Sequence, residues 1–392
     1  MTSRCIEVLR ENDCGGHTLP ARDLYPHQWA WDSAFAAIGW AHIDPSRAVI
    51  ELRSLFAGQW EDGRVPHIQF NAEAADYWPD QEVWRAGKTS SLTQPPLWAT
   101  AIRRLLDLGV RGRDLAALLP AVERSHLFFH NARDPERLGL VAIVHPWESG
   151  LDNSPAWDDP LAQVAPSNTP LRRRDIAHVD AEQRPTDEHY RRYLALVEAI
   201  AANDFGAGPF AVYDPMMTAL LARAESDLAF VAERVGFATT AAERAERLTT
   251  ALTERLWDSE LGRFRYRDAV AARDLTPNVI GAYMPVILAL EQPILRRLQH
   301  ELETQLSTPW PIPSTAPSDS TFDPRCYWRG PSWINLNWLL VPRLGSTLRE
   351  RTLDLVDRSG FREYYHPLTG EGLGARRFTW TAALVLDLLA GG

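Results

Sequence analysis

Residues 146–158 read PWESGLDNSPAWD, which sets Glu148, Asp152 and Asp158 among two tryptophans, Gly150 and Pro155. Three other stretches crowd acids, amides and aromatics around turn residues in the same way: LYPHQWAWDSAF (24–35), YWRGPSWINLNW (327–338) and FREYYHPLTGEGLG (361–374). A carboxylic acid walled by aromatic rings is poorly hydrated, and desolvation disfavours its charged form, so it keeps its proton to higher pH. One protonated and one ionised carboxyl are what the hydrolysis of a glycosidic bond requires. The first protonates the leaving oxygen, and the second acts as base or nucleophile. Asp152, between Trp147 and Trp157 and held by Gly150 and Pro155, is the candidate acid. Glu363, ahead of two tyrosines and a Pro–Leu–Thr–Gly turn, is the candidate base, with Glu371 of TGEGLG as its rival. Each has a plainer role open to it: Asp152 as a turn residue, Asp32 as a helix cap, Glu363 as a surface acid near a helix end. The catalytic reading rests on their joint occurrence with the aromatics.

Composition supports a sugar-like ligand. The 392 residues hold 15 Trp against 4 Met, and a core is more easily built from Leu and Val. Trp brings a flat apolar face and one N–H donor, which suits a ligand with C–H faces and hydroxyl edges. With 51 Asp and Glu against 41 Lys and Arg, the net charge is −10, unsuited to nucleic acid, whose phosphates need positive charge. The run Arg172–Arg174 is the one dense basic spot and reads as a solvated loop. No GxxxxGK[ST] or GxGxxG turn, HExxH pair, His/Cys cluster or GxSxG elbow is present, so no cofactor, metal or serine nucleophile is expected. Cys5, Cys14 and Cys326 are odd in number and scattered, which fits reduced thiols in a cytoplasm. The N-terminus lacks the apolar centre of a signal peptide, and no 18 apolar residues run together to span a membrane.

The elements that must position these residues are helical. Apolar residues recur at three- and four-residue spacing over 45–60, 95–109, 113–132, 187–203, 214–236, 239–257, 276–290, 291–307, 332–341, 346–360 and 378–390, with another helix opened by Asp32. Alternating β pattern is confined to 140–145 and 262–268. About twelve helices of 8–20 residues, joined by short turns on one side and longer Pro- and Gly-rich stretches on the other, predict an all-α ring of helical hairpins. No fixed period supports a solenoid or a protein-interaction repeat. The irregular stretches 158–185 and 307–331 read as walls or lids over a site within a single domain, 1–392. The four acid-and-aromatic stretches lie at helix ends, which a ring would bring to one face.

The segments YPHQWAWDSAF, GQWEDGRVPHIQFN, SLTQPP, ESGLDNSPAWD, YWRGPSWINLNW and EYYHPLTGEGLG…FTWTAAL, in that order, resemble glycoside hydrolase family 63. Within it they are most similar to the bacterial hydrolases of mannosylglycerate and glucosylglycerate, with weaker counterparts in trehalases. The resemblance implies a six-hairpin (α/α)6 toroid and an inverting mechanism without metal or cofactor. Carried over by motif, Asp152 corresponds to the general acid and Glu363 to the base that activates water. Tyr25, Gln28, Trp29, Trp31, Asp32, Gln94, Trp147, Trp328 and Trp333 would form the sugar pocket. Arg184, Tyr190, Tyr77 and Tyr327 would hold the glycerate, a guanidinium fork matching a carboxylate at two points. Arg184 could instead tie down the loop before its helix. The implied substrate is glucosylglycerate or mannosylglycerate, split to hexose and glycerate. The alternatives are a neutral α-glucosidase and a carbohydrate-binding protein without turnover. The partner is thus a small molecule bearing a carboxylate, neither nucleic acid nor membrane, and a homo-oligomer is left open. Two departures accompany the resemblance. Only the 24 residues 339–362 separate Trp338 from Glu363, so a helix pair is trimmed there and Glu371 stays in contention. The stretch 72–92 is compact.

Overall fold

The computed structural model of the chain describes residues 1–391 apart from 73, 75, 76 and 207. The fold is mostly helical, with a few short antiparallel strands. Among the described residues, two helices are apolar nearly all round. Ala30–Ala41 is buried at every position, and Thr379–Leu389 is buried through Leu388. Such helices belong in an interior, and these two pack against each other at the centre. Around them lie one-sided helices. Ala241–Leu256 buries Ala241, Arg244, Ala245, Leu248, Leu252 and Leu256, a stripe at three- and four-residue spacing, and lays it on Pro215–Val235. That 21-residue helix also packs on Trp98–Asp107. No described helix is long and apolar enough to cross a membrane.

Helix starts follow local chemistry. Asp44 and Asp214 stand in extended backbone and accept from the N–H groups of Ser46 (2.9 Å) and Met216 (2.8 Å), each with proline at the first helical position. Thr186 and His189 form a reciprocal capping box at the head of Asp187–Ala202.

The structure departs from the periodicity in several places. Thr2–Glu11 is a further helix, which rests on buried Cys5, Val8 and Leu9. Residues 276–290 do not form one helix. They make two 3-10 turns, Ile280–Ala282 and Met284–Ile287, because Pro285 has no N–H and its ring would strike the carbonyl one turn back. The helix expected over 95–109 starts at Trp98, which leaves Gln94 on the chain before it. Asp32 does not cap its helix but sits in the first turn, the cap position being Trp29. Of 140–145 only Ala142–Ile143 pairs, in a four-stranded antiparallel sheet that continues with Val212–Tyr213, Tyr266–Asp268 and Arg273–Leu275. The stretch 262–268 splits, since Arg263–Phe264 pairs elsewhere, with Trp257–Asp258.

The most consequential departure is a hairpin. Arg362–Tyr365 pairs with Gly372–Arg376, so Glu363 stands on a strand and not at a helix end. The segment 339–362 holds the end of Ile334–Leu344 and the whole of Ser346–Ser359, with only Gly345 between them. Of the compact stretch 72–92, residues 73, 75 and 76 lie outside the described residues; the helix Gln81–Trp84 buries Trp84 completely.

Candidate active site

Four helices send their N-terminal ends toward one cavity. Asp32 lies in the first turn of Ala30–Ala41, Gln94 just ahead of Trp98–Asp107, Arg184 and Tyr190 at the head of Asp187–Ala202, and Trp380 at the head of Thr379–Leu389. Asp152 and Glu363 line the same cavity.

Asp152 follows a tight turn. Pro146–Ser149 winds one 3-10 turn, and Gly150 ends it with φ 73°. A Cβ on Gly150 would fall 2.6 Å from the Trp31 ring, so both the turn and the close approach of Trp31 require glycine. Tyr193 donates its hydroxyl to the Asp152 carbonyl at 2.8 Å, and Trp157 donates its indole N–H to Leu151 at 2.8 Å. Glu148 is an anchor for this turn. Both its oxygens take the Arg133 fork (2.9 and 2.7 Å), and it accepts from the N–H groups of Val144 and Thr93. Burial opposes its charge, but the guanidinium outweighs burial and holds the Glu148 carboxyl below its usual range.

Glu363 is fixed by three donors: the Tyr25 hydroxyl at 2.6 Å, Arg184 at 2.8 Å and the Ala375 N–H at 2.9 Å. The pairing shifts register between Leu373 and Arg376, and this irregularity turns the Ala375 N–H onto the carboxylate. Gly374 is part of it, with φ 63° and a Cβ position only 2.5 Å from the Glu363 carboxylate oxygen. Glu371, at the other end of the same hairpin, is exposed, pairs with Arg325 at 2.7 Å and does not line the cavity.

The two acids differ in surroundings. Burial raises the Asp152 carboxyl well above the ordinary range, and the negative charges of Glu363 and Asp32 push the same way against the opposing pull of Arg184. Asp32 is raised in the same way, first by burial and then by Glu363 and Glu51. In both, burial favours the protonated form. Arg184 donates to Glu363 and, at 3.0 Å, to the Tyr25 hydroxyl, and its guanidinium lies 4.5 Å above the Tyr327 ring. It therefore ties to the candidate base, not merely to its own loop.

Of the other expected residues, Tyr25, Trp29, Trp31, Tyr77, Gln94, Trp147, Tyr190 and Tyr327 line the cavity. Gln94 accepts the Trp31 N–H at 3.2 Å, and Trp147 stacks on His67. Tyr190 donates to Asp175 at 3.0 Å. Three do not line it. Gln28 is spent bridging Ser33 and Ser54, which ties Ala30–Ala41 to Pro45–Ala57. Trp328 and Trp333 stack on each other at 3.6 Å in full burial behind Tyr327 and Tyr364, so their faces meet rings and no ligand. Arg172–Arg174 also line the cavity, Arg172 remaining exposed to solvent while Arg173 and Arg174 are half-buried. Arg173 pairs with Asp175 (2.6 Å) and Asp187 (2.9 Å) and lies 4.1 Å over the Tyr190 ring. His67, Trp78, Trp84 and Phe378 also line the cavity and were not picked out as site residues. Phe378 and Trp380 fall in FTWTAAL, the one signal that could have found them.

A buried Asp152 pushed toward its protonated form and a Glu363 held by three donors share one aromatic cavity, an arrangement suited to glycoside hydrolysis. Residues 25–381 match the family described as the mannosylglycerate hydrolase MGH1-like glycoside hydrolase domain. The chain is 40% identical to the mannosylglycerate hydrolase of Thermus thermophilus, over 98% of this chain and 99% of that one. It is 35% identical to the glucosylglycerate hydrolase of Mycolicibacterium hassiacum, over 99% and 97%. The crystal structure of a GH63 mannosylglycerate hydrolase from Thermus thermophilus, in complex with Tris and D-glycerate, superposes with a TM-score of 0.94, at 39% identity and 98% coverage of both chains. The chain belongs to the MGH1-like glycoside hydrolases of family 63.

Proposed function

We propose that the protein is an inverting α-glycosidase that hydrolyses glucosylglycerate, mannosylglycerate or both to free hexose and glycerate. The observation that carries this reading is the pairing in one cavity of Asp152, buried so that its protonated form is favoured, with Glu363, fixed by three donors. Full-length similarity to mannosylglycerate and glucosylglycerate hydrolases, and to a structure holding D-glycerate, supports the glycerate leaving group. Asp152 gives its proton to the glyceryl oxygen as the bond to the anomeric carbon breaks. Water, deprotonated by Glu363, attacks that carbon from the opposite face. Inversion needs room for the water, so the two carboxyl groups stand roughly 6.5–9.5 Å apart in the working enzyme. Trp29, Trp31 and Trp147 take the apolar faces of the hexose, and Asp32 and Gln94 meet its hydroxyls. The scaffold is a single (α/α)6 toroid whose stretches 158–185 and 307–331 close over the glycerate end. The setting is cytoplasmic, as three cysteines, odd in number and scattered along the chain, suggest.

Proton NMR of the protein with α-glucosylglycerate or α-mannosylglycerate tests this. Early appearance of the β-anomer of the free hexose supports hydrolysis with inversion. Early α-anomer would overturn inversion, and turnover of neutral α-glucosides alone would move the assignment to a neutral glycosidase. Sugar binding without any turnover would make the protein a carbohydrate-binding one.

A further inference from the structure

Glu363 faces the main cavity, and the alternation of side chains along its strand turns Arg362 to the other side. There Arg362 lines a second cavity together with Gln183, Gly374, Ala375 and Arg376. No step of the reaction above uses this guanidinium, and its position is costly. Arg362 stands directly across the strand pair from Arg376, and like charges in that register repel. It is half-buried and forms no ion pair among the described residues. Burial, and then Arg376, push its guanidinium below the ordinary range, against the pull of Tyr365, Glu363 and Tyr364.

Its hydrogen bonds show what this cation does. Arg362 donates to the main-chain carbonyl of Gly374 at 3.0 Å and, more loosely, to that of Leu373 at 3.5 Å. The Gly374 carbonyl belongs to the same peptide unit as the Ala375 N–H, and a planar trans peptide points the two in opposite directions. On the far side, that N–H donates to the Glu363 carboxylate at 2.9 Å. A cation on the carbonyl draws electron density toward its oxygen and leaves the N–H a stronger donor, since hydrogen bonds in series polarise one another. Gly374 is also gripped from the facing loop, where its own N–H donates to the Gln183 side-chain oxygen at 3.2 Å.

We infer that Arg362 is a positioning residue for the base. Acting from outside the main cavity, it aims and strengthens the Ala375 N–H through the Gly374–Ala375 peptide, an assignment that rests on Glu363 being the base proposed above.

The pH profile of kcat/KM on the hexosylglycerate tests this, because its acid limb reports the base of the free enzyme. Tyr25 and Arg184 touch Glu363, and Asp32, Asp152, Tyr327 and Tyr364 interact with it electrostatically. All six stay unaltered in the variants. In R362Q the acid limb moves to higher pH by about 0.5–1, and the plateau kcat falls about twofold to tenfold, the range that one hydrogen bond spans. KM stays within about twofold, as expected for an interaction that the bound substrate does not make. R362K restores part of both losses, returning the charge without the planar fork. R376Q removes the facing charge but no bond to the peptide, and it leaves the limb and kcat unchanged. A purely structural tie would lower the melting temperature and leave the acid limb in place, so an unmoved limb in R362Q would overturn the inference. An equal shift in R376Q would overturn it too, by reducing the effect to charge alone. Should R362Q not fold, Gln183→Leu releases Gly374 from the other side and carries the same comparison, an unmoved limb again counting against the inference. Failure of the unaltered enzyme to turn over any hexosylglycerate would instead overturn the functional reading and this inference with it.

Discussion

The proposed acid Asp152 and the proposed base Glu363 share a cavity, and what distinguishes them is their donors. Glu363 is met by a phenol, a guanidinium and a backbone N–H, while Asp152 is governed by burial and by neighbouring negative charge. Asp152→Asn and Glu363→Gln should each lower kcat on the natural substrate by about 10²–10⁴-fold, the usual worth of a positioned acid or base. A glucoside with a phenolate-type leaving group needs no proton, so it should rescue Asp152→Asn and leave Glu363→Gln inactive. The sign of the pH dependence follows from the raised Asp152 carboxyl. The acid is competent below its raised pKa and fails as pH rises through it, so kcat/KM should have an alkaline limb that Asp152→Asn abolishes. Stability runs the same way. A carboxyl raised by folding contributes most below its unfolded pKa of about 4 and costs stability above it. Asp152→Asn should therefore melt no lower than the unaltered protein at neutral pH, checked by calorimetry.

At the scale of elements, the hairpin Arg362–Tyr365/Gly372–Arg376 sets the base. Its shifted register and Gly374 bring the Ala375 N–H to Glu363, and a side chain at 374 would enter the space of the carboxylate. Gly374→Ala should lower kcat and cost more stability than the roughly 1–2 kcal/mol of its left-handed backbone, because its Cβ would also meet the buried Tyr364 ring, checked by kinetics and urea denaturation on the same sample. The turn bearing Asp152 is secured instead by the buried Glu148–Arg133 pair, which explains why the motif around the acid carries a second carboxylate.

Across the whole molecule, the interior helices are clamped by one buried carboxylate. Asp387 accepts from His42 and Arg104, both at 2.8 Å, and from the Trp338 indole at 2.9 Å, so four helical segments meet on a side chain with no exposure. Burial alone would raise its pKa, but these donors hold it below the ordinary range. Removing one partner of a buried pair typically costs about 3–5 kcal/mol, so Asp387→Ala should lower the stability measured by urea denaturation by that amount. In the unaltered protein the Asp387 contribution is present above the unfolded carboxylate pKa and is lost as pH falls through the depressed one.

Composition, periodicity and motif already determine much of this protein. Helices such as Asp187–Ala202 and Ala241–Leu256 declare themselves because a buried stripe repeats every three or four residues along a single element. The turn around Asp152 is legible because its glycine, prolines and tryptophans are local. Strands of two to five residues are not, since a period of two needs more length to show, and so the hairpin under Glu363 emerges only on folding. Glu363 and Glu371 are eight residues apart in similar company, but one end of the hairpin faces the cavity and the other faces solvent. Gln28 and Gln94 are equally plausible on paper, yet Ser33 and Ser54 use up the first. The arginine run looks like a solvated loop until Asp187 and Tyr190, from the next helix, meet Arg173 beside its neighbour Asp175. What decides each case is a pairing outside one helix turn or strand, such as Gln28 with Ser54 or Arg173 with Asp187, and such a contact leaves no periodic trace in the chain that makes it.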